Sequence, residues 1–229
     1  SKSVNNQYAL FGGDYLNIAS QVGTAGDDVM NGTPLADVID TLQGADTVNS
    51  NGGADVIYTG AGDDTVSIVD NAFVRIDGGA GFNTLKLQGQ ANQTYDFRLD
   101  VANPQYFCGT KLRNIQLINS IDYGANTLRF DAAAINAINP QRVLFLTPDA
   151  ADTIELTSDF QLNSNFNTTY GGSLWTAYVA APTSATPGSS NPAVVYVLTP
   201  SGQTSSWLTS HVLTTLTPGV ASSAGPQAP

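Results

Sequence analysis

Between Gly23 and Ser67 the chain repeats itself every nine residues. The units read GTAGDDVMN (23–31), GTPLADVID (32–40), TLQGADTVN (41–49), SNGGADVIY (50–58) and TGAGDDTVS (59–67). The sixth position is always acidic: Asp28, Asp37, Asp46, Asp55 and Asp64. The eighth is always apolar: Met30, Ile39, Val48, Ile57 and Val66. The fourth reads Gly26, Leu35, Gly44, Gly53 and Gly62. A ten-residue piece (68–77) follows, with Phe73 where the Asp is due. Next comes a weaker copy, GGAGFNTLK (78–86), with Asn83 for Asp and Leu85 in the apolar slot. A flexible Gly/Asp linker has no need of an apolar residue at every ninth step, so the period specifies packed structure.

Each position has a physical role. Glycine permits positive φ, so the backbone turns tightly and its carbonyls converge. Asp supplies a hard oxygen at the end of that turn. The apolar residue two positions later sits inside a three-residue strand and points inward while its neighbours point out. One nine-mer is a turn plus a short strand, and two nine-mers close one coil. Successive coils then lie ~4.8 Å apart, as strands do in a sheet. The expected fold is all-β: a parallel β-roll, or β-solenoid.

Residues 18 apart stack in such a roll. One edge carries Asp28, Asp46, Asp64 and, after a one-residue slip, Asn83; the other carries Asp37 and Asp55. The stretch 23–67 holds eight Asp and no Lys or Arg. Carboxylates stacked this closely repel by about 1 kcal/mol per pair in water and by more when desolvated. Bound cations remove that cost. Calcium takes six to eight oxygens in flexible geometry at ~2.3–2.6 Å, which two Asp plus turn carbonyls supply; magnesium, octahedral and reluctant to shed water, fits less well. The candidate metal residues are therefore Gly26, Asp28, Asp37, Gly44, Asp46, Gly53, Asp55, Gly60, Gly62, Asp64, Gly81 and Asn83. They make three or four sites: Asp28/Asp46, Asp46/Asp64, Asp37/Asp55 and, as the optional fourth, Asp64/Asn83. Leu35 at a glycine position leaves the carbonyl geometry of the Asp37 edge in question.

The units resemble the G-G-x-G-x-D-x-U-x nonapeptide of RTX (repeat-in-toxin) proteins, which form calcium-bound parallel β-rolls. The resemblance covers 23–67 closely and 78–86 partially. It implies export by bacterial type I machinery and folding outside the cell, where calcium is available. One small apolar residue per strand buries little, so binding energy would become folding energy. Strand signal is expected to appear at ~10⁻⁴–10⁻³ M calcium, the range of extracellular modules.

After Lys86 the period is lost but strand-like pieces continue: Thr84–Leu87, Thr94–Leu99, Leu112–Ile118, Thr127–Phe130, Val143–Thr147, Thr153–Thr157, Leu174–Val179 and Val194–Leu198. A short helix fits Asp131–Ile138, with Asp131 as its cap and Pro140 beyond its end. This order is similar to the β-rich unit that follows RTX repeats in large secreted bacterial surface proteins. The expected organisation is an N-terminal cap (1–22), the roll (23–86), a β-rich extension and cap (87–200), and a low-complexity tail or linker (201–229). Within that tail, Trp207–Leu216 is apolar enough to dock on the body.

Composition narrows the function. A net charge of −11 argues against nucleic acid and anionic lipid partners. No apolar run reaches the ~20 residues of a membrane span, and the first residues carry no apolar signal segment, as a processed chain would not. One Cys (Cys108), one His (His211) and one Glu (Glu155) leave no disulfide and no HExxH; GxSxG and GxxxxGK[ST] are absent too. Cys108 and His211 read as bystanders. Asp149, Asp152, Glu155 and Asp159 read as a solvated strand edge, with a further calcium site as the alternative. Asp96 and Asp100 only imitate a glycosidase pair. Trp175, Tyr178 and Tyr170 read as core, or as a sugar or peptide groove. The leading expectation is a non-enzymatic, calcium-dependent structural or adhesive module of a secreted bacterial surface protein, whose partners are calcium and either further copies of itself or a surface ligand. The alternatives are a calcium-assisted peptide- or sugar-binding module and the roll of a secreted protease or lipase.

Overall fold

The computed structural model describes residues 2–9, 15–98, 111–180 and 192–217, with side chains from residue 20 onward. Two amino-terminal strands, β1 (Lys2–Ala9) and β2 (Tyr15–Val22), precede the repeats. The repeat region supplies β3 (Val29–Asn31), β4 (Asp37–Asp40), β5 (Thr47–Asn49), β6 (Val56–Tyr58), β7 (Thr65–Ile68), β8 (Arg75–Asp77) and β9 (Thr84–Leu87). Then come β10 (Thr94–Asp96), β11 (Leu112–Arg113), β12 (Leu117–Asn119), β13 (Thr127–Phe130), α1 (Ala132–Ile138), β14 (Val143–Thr147) and β15 (Thr153–Thr157). The last are β16 (Phe160–Leu162), β17 (Thr168–Tyr170), β18 (Ser173–Ala180), β19 (Val194–Leu198), α2 (Ser205–His211) and β20 (Val212–Leu216).

The repeat strands alternate between two parallel sheets. Odd units form β3-β5-β7-β9, which continues through β12, β14 and β19. Even units form β4-β6-β8, flanked by β2 and β11. A third sheet, β10-β13-β15-β20, is also parallel. The fold is thus an all-β parallel β-roll. Partners lie 18 residues apart in the first coils, as in Met30 opposite Val48 and Ile39 opposite Ile57. Across the ten-residue piece they lie 19 apart, as in Val66 opposite Leu85 and Ile57 opposite Ile76. The roll absorbs the extra residue as a one-step register slip.

The inward alternation buries Met30, Ile39, Val48, Ile57, Val66, Ile76 and Leu85 in one file. Full burial of such a side chain stabilises by roughly 1.5–3 kcal/mol, which is little for β3 to β6, holding one each; Ile68 and Leu87 add a second to β7 and β9. Later coils hold more. Phe97 stacks on Phe130 with ring centroids 4.7 Å apart, and Ile135, Ile138, Leu144, Leu146, Ile154, Leu156 and Phe160 are all buried around them. The α1 helix starts where Asp131 accepts a hydrogen bond from the Ala134 N–H (2.7 Å). The parallel run ends when β18 pairs antiparallel with β19, and β16 and β17 fold back onto β18. At the other end, β1 and β2 form an antiparallel pair whose second strand joins β4.

Two expectations need correction, on Leu112–Ile118 and on the tail, and others fall outside the described residues. Leu112–Ile118 is two strands in different sheets, because Asn114 takes a left-handed φ of 56° between them. Leu99 and residues 100–110, Cys108 included, lie outside the described residues, as do Leu10, Phe11 and most of the 182–192 loop. The tail is not a linker throughout. Its apolar part forms α2 and β20, with Trp207, Leu208 and Val212 buried and β20 paired to β15. Trp207 also donates its indole N–H to the Ala150 carbonyl (2.8 Å). Residues 218–229 lie outside the described residues.

Candidate metal centre

Each turn before a repeat strand stacks on the turn one coil earlier. At Gly62 φ is +145°, and an added Cβ would lie 1.8 Å from the Gly44 carbonyl oxygen. At Gly60 φ is +86°, with the Leu42 oxygen 1.9 Å from the same hypothetical atom. Gly44, Gly53 and Gly81 repeat the arrangement against Gly26, Leu35 and Gly62. The glycines are required because no side chain fits between coils. The Gly60 carbonyl accepts the Ala80 N–H (2.7 Å), and Ala61 bridges Gln43 and Ala80, so these turns hydrogen-bond to one another.

Leu35 is compatible with this arrangement. Left-handed non-glycine backbone occurs among the described residues at Leu42, Asn51, Asn92, Asn114, Asp122 and Arg142, but not at Leu35. Leu35 lies in the first turn of its column, its side chain exposed and its carbonyl beneath Gly53. Leu42 is different: its φ is +75° where later turns place Gly60 and Gly79. A branched L-residue there costs roughly 1–2 kcal/mol. Leu42→Gly is therefore expected to stabilise the calcium-loaded protein by about 1 kcal/mol, read as a higher midpoint in urea; an unchanged or lower midpoint contradicts the strain.

The Asp residues form two ladders. The Asp28 N–H donates to Asp46 Oδ1 (2.8 Å), Asp46 N–H to Asp64 Oδ1 (2.8 Å) and Asp64 N–H to Asn83 Oδ1 (3.0 Å). On the other edge the Asp37 N–H donates to Asp55 Oδ1 (2.9 Å). One carboxylate oxygen of each later Asp thus ties two coils together. The other oxygens are left over. Asp37, Asp46, Asp55 and Asp64 are at most 1% exposed. Asp37 Oδ1, Asp46 Oδ2, Asp55 Oδ2 and Asp64 Oδ2 have no hydrogen-bond donor, and they are four of the seven buried side-chain N or O atoms without any hydrogen-bond partner among the described residues. The Thr59 hydroxyl lies beside Asp64, but its proton goes to the Gly78 carbonyl (3.1 Å). Burial pushes the Asp55 carboxyl up to about 7, with the Asp37 and Asp70 charges adding to the rise, and burial raises Asp64 as well. A buried carboxylate oxygen without donor or cation costs several kcal/mol. Four of them in two files are an oxygen set suited to a hard cation.

The first carboxylate of each ladder gains threonine donors on one oxygen, and the odd-unit ladder closes on an amide. Asp28 Oδ2 accepts from Thr24 N (2.6 Å) and Oγ1 (3.0 Å). Asp37 Oδ2 accepts from Thr33 N (2.6 Å) and Oγ1 (3.0 Å). Asn83 donates through Nδ2 to the Gly78 carbonyl (2.7 Å) and the Asn114 carbonyl (3.0 Å). Its Oδ1 accepts the Asp64 N–H, so Asn83 itself adds no donorless oxygen to the rung it shares with Asp64, whereas Asp46 and Asp64 each bring one to theirs. Phe73, in the break of the Asp37/Asp55 column, is buried in the core. Two residues escaped the sequence reading: Asp27 and Asp63 accept the Ala45 and Phe82 N–H groups (2.8 Å each) one coil on. Their fifth-position recurrence in GTAGDD and TGAGDD was the available signal.

Of the acids outside the repeats, Asp96, Asp149, Asp152 and Glu155 are already engaged. Asp152, read as solvent-facing, is 0% exposed and accepts from the Ser120 hydroxyl, Asp149 N–H and Asn126 N–H (2.7 Å each). Glu155 pairs with Arg129 (2.6 Å). Buried Asp96 pairs with Arg98; Asp100 lies outside the described residues. His211 stacks on Trp207, and Trp175 and Tyr178 are buried. Tyr170 is half exposed and stacks on Phe82. Among the described residues no three His, Cys, Asp or Glu side chains gather as a metal-holding group. A cation at the ladders would therefore rely on paired carboxylates and backbone carbonyls.

Residues 31–66 match the family model of the RTX calcium-binding nonapeptide repeat, in four copies. Such repeats bind calcium, are a structural rather than catalytic domain type, and are typical of secreted extracellular proteins. No curated protein and no solved structure matches the chain. No helix among the described residues is long and apolar enough to cross a membrane.

Proposed function

We propose that calcium binds at three rungs, Asp28/Asp46, Asp46/Asp64 and Asp37/Asp55, and holds residues 23–86 as a rigid roll within a secreted structural or adhesive surface protein. The observation that carries this reading is the set of donorless buried oxygens on Asp37, Asp46, Asp55 and Asp64. Calcium is the cation whose many oxygen ligands and tolerant geometry suit two carboxylates with turn carbonyls. Bound there, it would neutralise the stacked charge and cross-link adjacent coils. The chain's own residues do the rest: the glycine turns bring the coils into contact, the N–H to Oδ1 ladder sets the spacing, and Thr24 and Thr33 orient the first carboxylates. In this reading residues 1–22 cap the first coil, and residues 87–200 extend and close the roll. The ligand-binding alternative is less favoured, because Asp149, Asp152 and Glu155 already serve internal hydrogen bonds and ion pairs.

Asp46 stands in two of the three rungs. Asp46→Ala is expected to raise the calcium concentration at half-maximal strand signal, followed by circular dichroism, by tenfold or more. Asp149→Ala, outside the ladders, serves as the comparison and is expected to leave that midpoint within about twofold. An unmoved titration for Asp46→Ala would remove the ladder from the calcium site.

A further inference from the structure

The odd-unit ladder ends on an amide, and the atoms around it differ from those at the earlier rungs in one respect. Asp46, Asp64 and Asn83 all accept the preceding coil's N–H through Oδ1. The second terminal atom is a donorless oxygen in Asp46 and Asp64. In Asn83 it is a nitrogen that donates to two carbonyls, those of Gly78 and Asn114. These carbonyls belong to a continuous stack along the roll. The Thr41 hydroxyl donates to the Thr59 carbonyl (2.8 Å), the Thr59 hydroxyl donates to the Gly78 carbonyl, and a Cβ on Gly78 would touch the Asn114 oxygen (2.5 Å). At Asn83 two carbonyls of this stack therefore find a positive partner within the protein.

We propose that the Asn83 amide takes, at the last rung of this ladder, the place that a calcium ion takes at the rungs before it, so that metal demand stops at Asp64. An NH₂ group carries two partially positive hydrogens and no lone pair available to a cation. Placed between two carbonyl oxygens it supplies part of the attraction an ion would supply, without requiring one. The coils beyond continue the N–H ladder on side chains that carry no donorless buried oxygen. Asn83 N–H donates to Gln116 Oε1 (2.7 Å), Gln93 N–H to Asn126 Oδ1 (3.0 Å) and Asn126 N–H to Asp152 Oδ1 (2.7 Å). Asn126 Nδ2 also spans two carbonyls, those of Tyr123 (3.3 Å) and Gly124 (3.0 Å). Asn83 thus marks the boundary between a metal-dependent and a metal-independent stretch of one continuous roll. The inference rests on the calcium reading of the earlier rungs.

The test is Asn83→Asp, with bound calcium counted by native mass spectrometry of the full chain. The variant is expected to bind one ion more than the wild type, and to show less strand signal than the wild type in EDTA. Should the wild type bind calcium and Asn83→Asp bind the same number, the amide is not standing in for an ion and the inference is overturned. A wild type that binds no calcium overturns the calcium reading itself. If Asn83→Asp fails to fold, Asp64→Asn decides. It is expected to bind fewer ions and yet to melt about 3 °C or more higher than the wild type in EDTA, since its new amide supplies donors where a bare oxygen stood. A lower or unchanged melting temperature in EDTA overturns the inference.

Discussion

In EDTA, backbone amides of residues 29–68 are expected to lose at least about 100-fold of their hydrogen-exchange protection, while those of 127–157 and 194–198 keep most of theirs. Strands β3 to β6 bury one apolar side chain each, Met30, Ile39, Val48 and Ile57, and β7 buries only two, Val66 and Ile68. Against that the early coils carry four buried carboxylate oxygens without a donor. Removing the ions leaves these charges in close files with only water entry or protonation to relieve them. An ion at a hundred times its Kd stabilises the folded state by about 2.7 kcal/mol, which is the 100-fold read by exchange. Among the described residues the later coils leave no buried carboxylate oxygen without a donor. Asp152 is held by three donors, and Phe97, Phe130, Leu144, Leu146, Ile154 and Leu156 form a larger core. Uniform loss of protection along the chain would mean that the two stretches fold as one cooperative unit. Uniform retention would mean that calcium is not what holds the early coils.

Gly62→Ala is expected to destabilise the calcium-loaded protein by at least about 3 kcal/mol in urea unfolding, the upper range for one substitution. Two independent costs combine there. The backbone sits at φ +145°, and the new Cβ would lie 1.8 Å from the Gly44 oxygen, an atom of stacked backbone that cannot turn aside. Relief requires the coils to part, which also separates the Asp46 N–H from Asp64 Oδ1. Gly171→Ala is the internal comparison. Its φ is +58° but nothing lies within 4 Å of the added atom, so only the conformational cost of about 1 kcal/mol is expected. Equal losses for the two substitutions would show that contact between turns contributes nothing to the stability of the roll.

The sequence made the repeat region legible because its period is a packing rule. Asp at every sixth position and an apolar residue at every eighth fix which side chains stack, and the observed register follows, down to the slip caused by the ten-residue piece at 68–77. Asp131 likewise announced its helix through a local bond to Ala134 N. The signal weakened where partners come from far along the chain. Trp207 bonds to Ala150 and β20 pairs with β15, so a segment of Ser, Thr and apolar residues that looks like a linker is held as structure. Asp152 reads as one acid in an acidic stretch, and only the fold brings Ser120 and Asn126 to it.

From the residues alone came the roll, its two files of Asp and calcium as the ion they call for, because a strict period forces identical residues into identical environments in successive coils. What the fold alone decided is which of those acids lack a donor. Thr24, Thr33, Asn83 and Asn114 settle the ends of the ladders through particular hydrogen bonds, and whether a carboxylate meets a hydroxyl, an amide or a second bare oxygen depends on distances of a few ångströms between coils. Periodicity carries the spacing of such groups along the chain; the balance of donors and acceptors at each rung exists only once the coils are stacked.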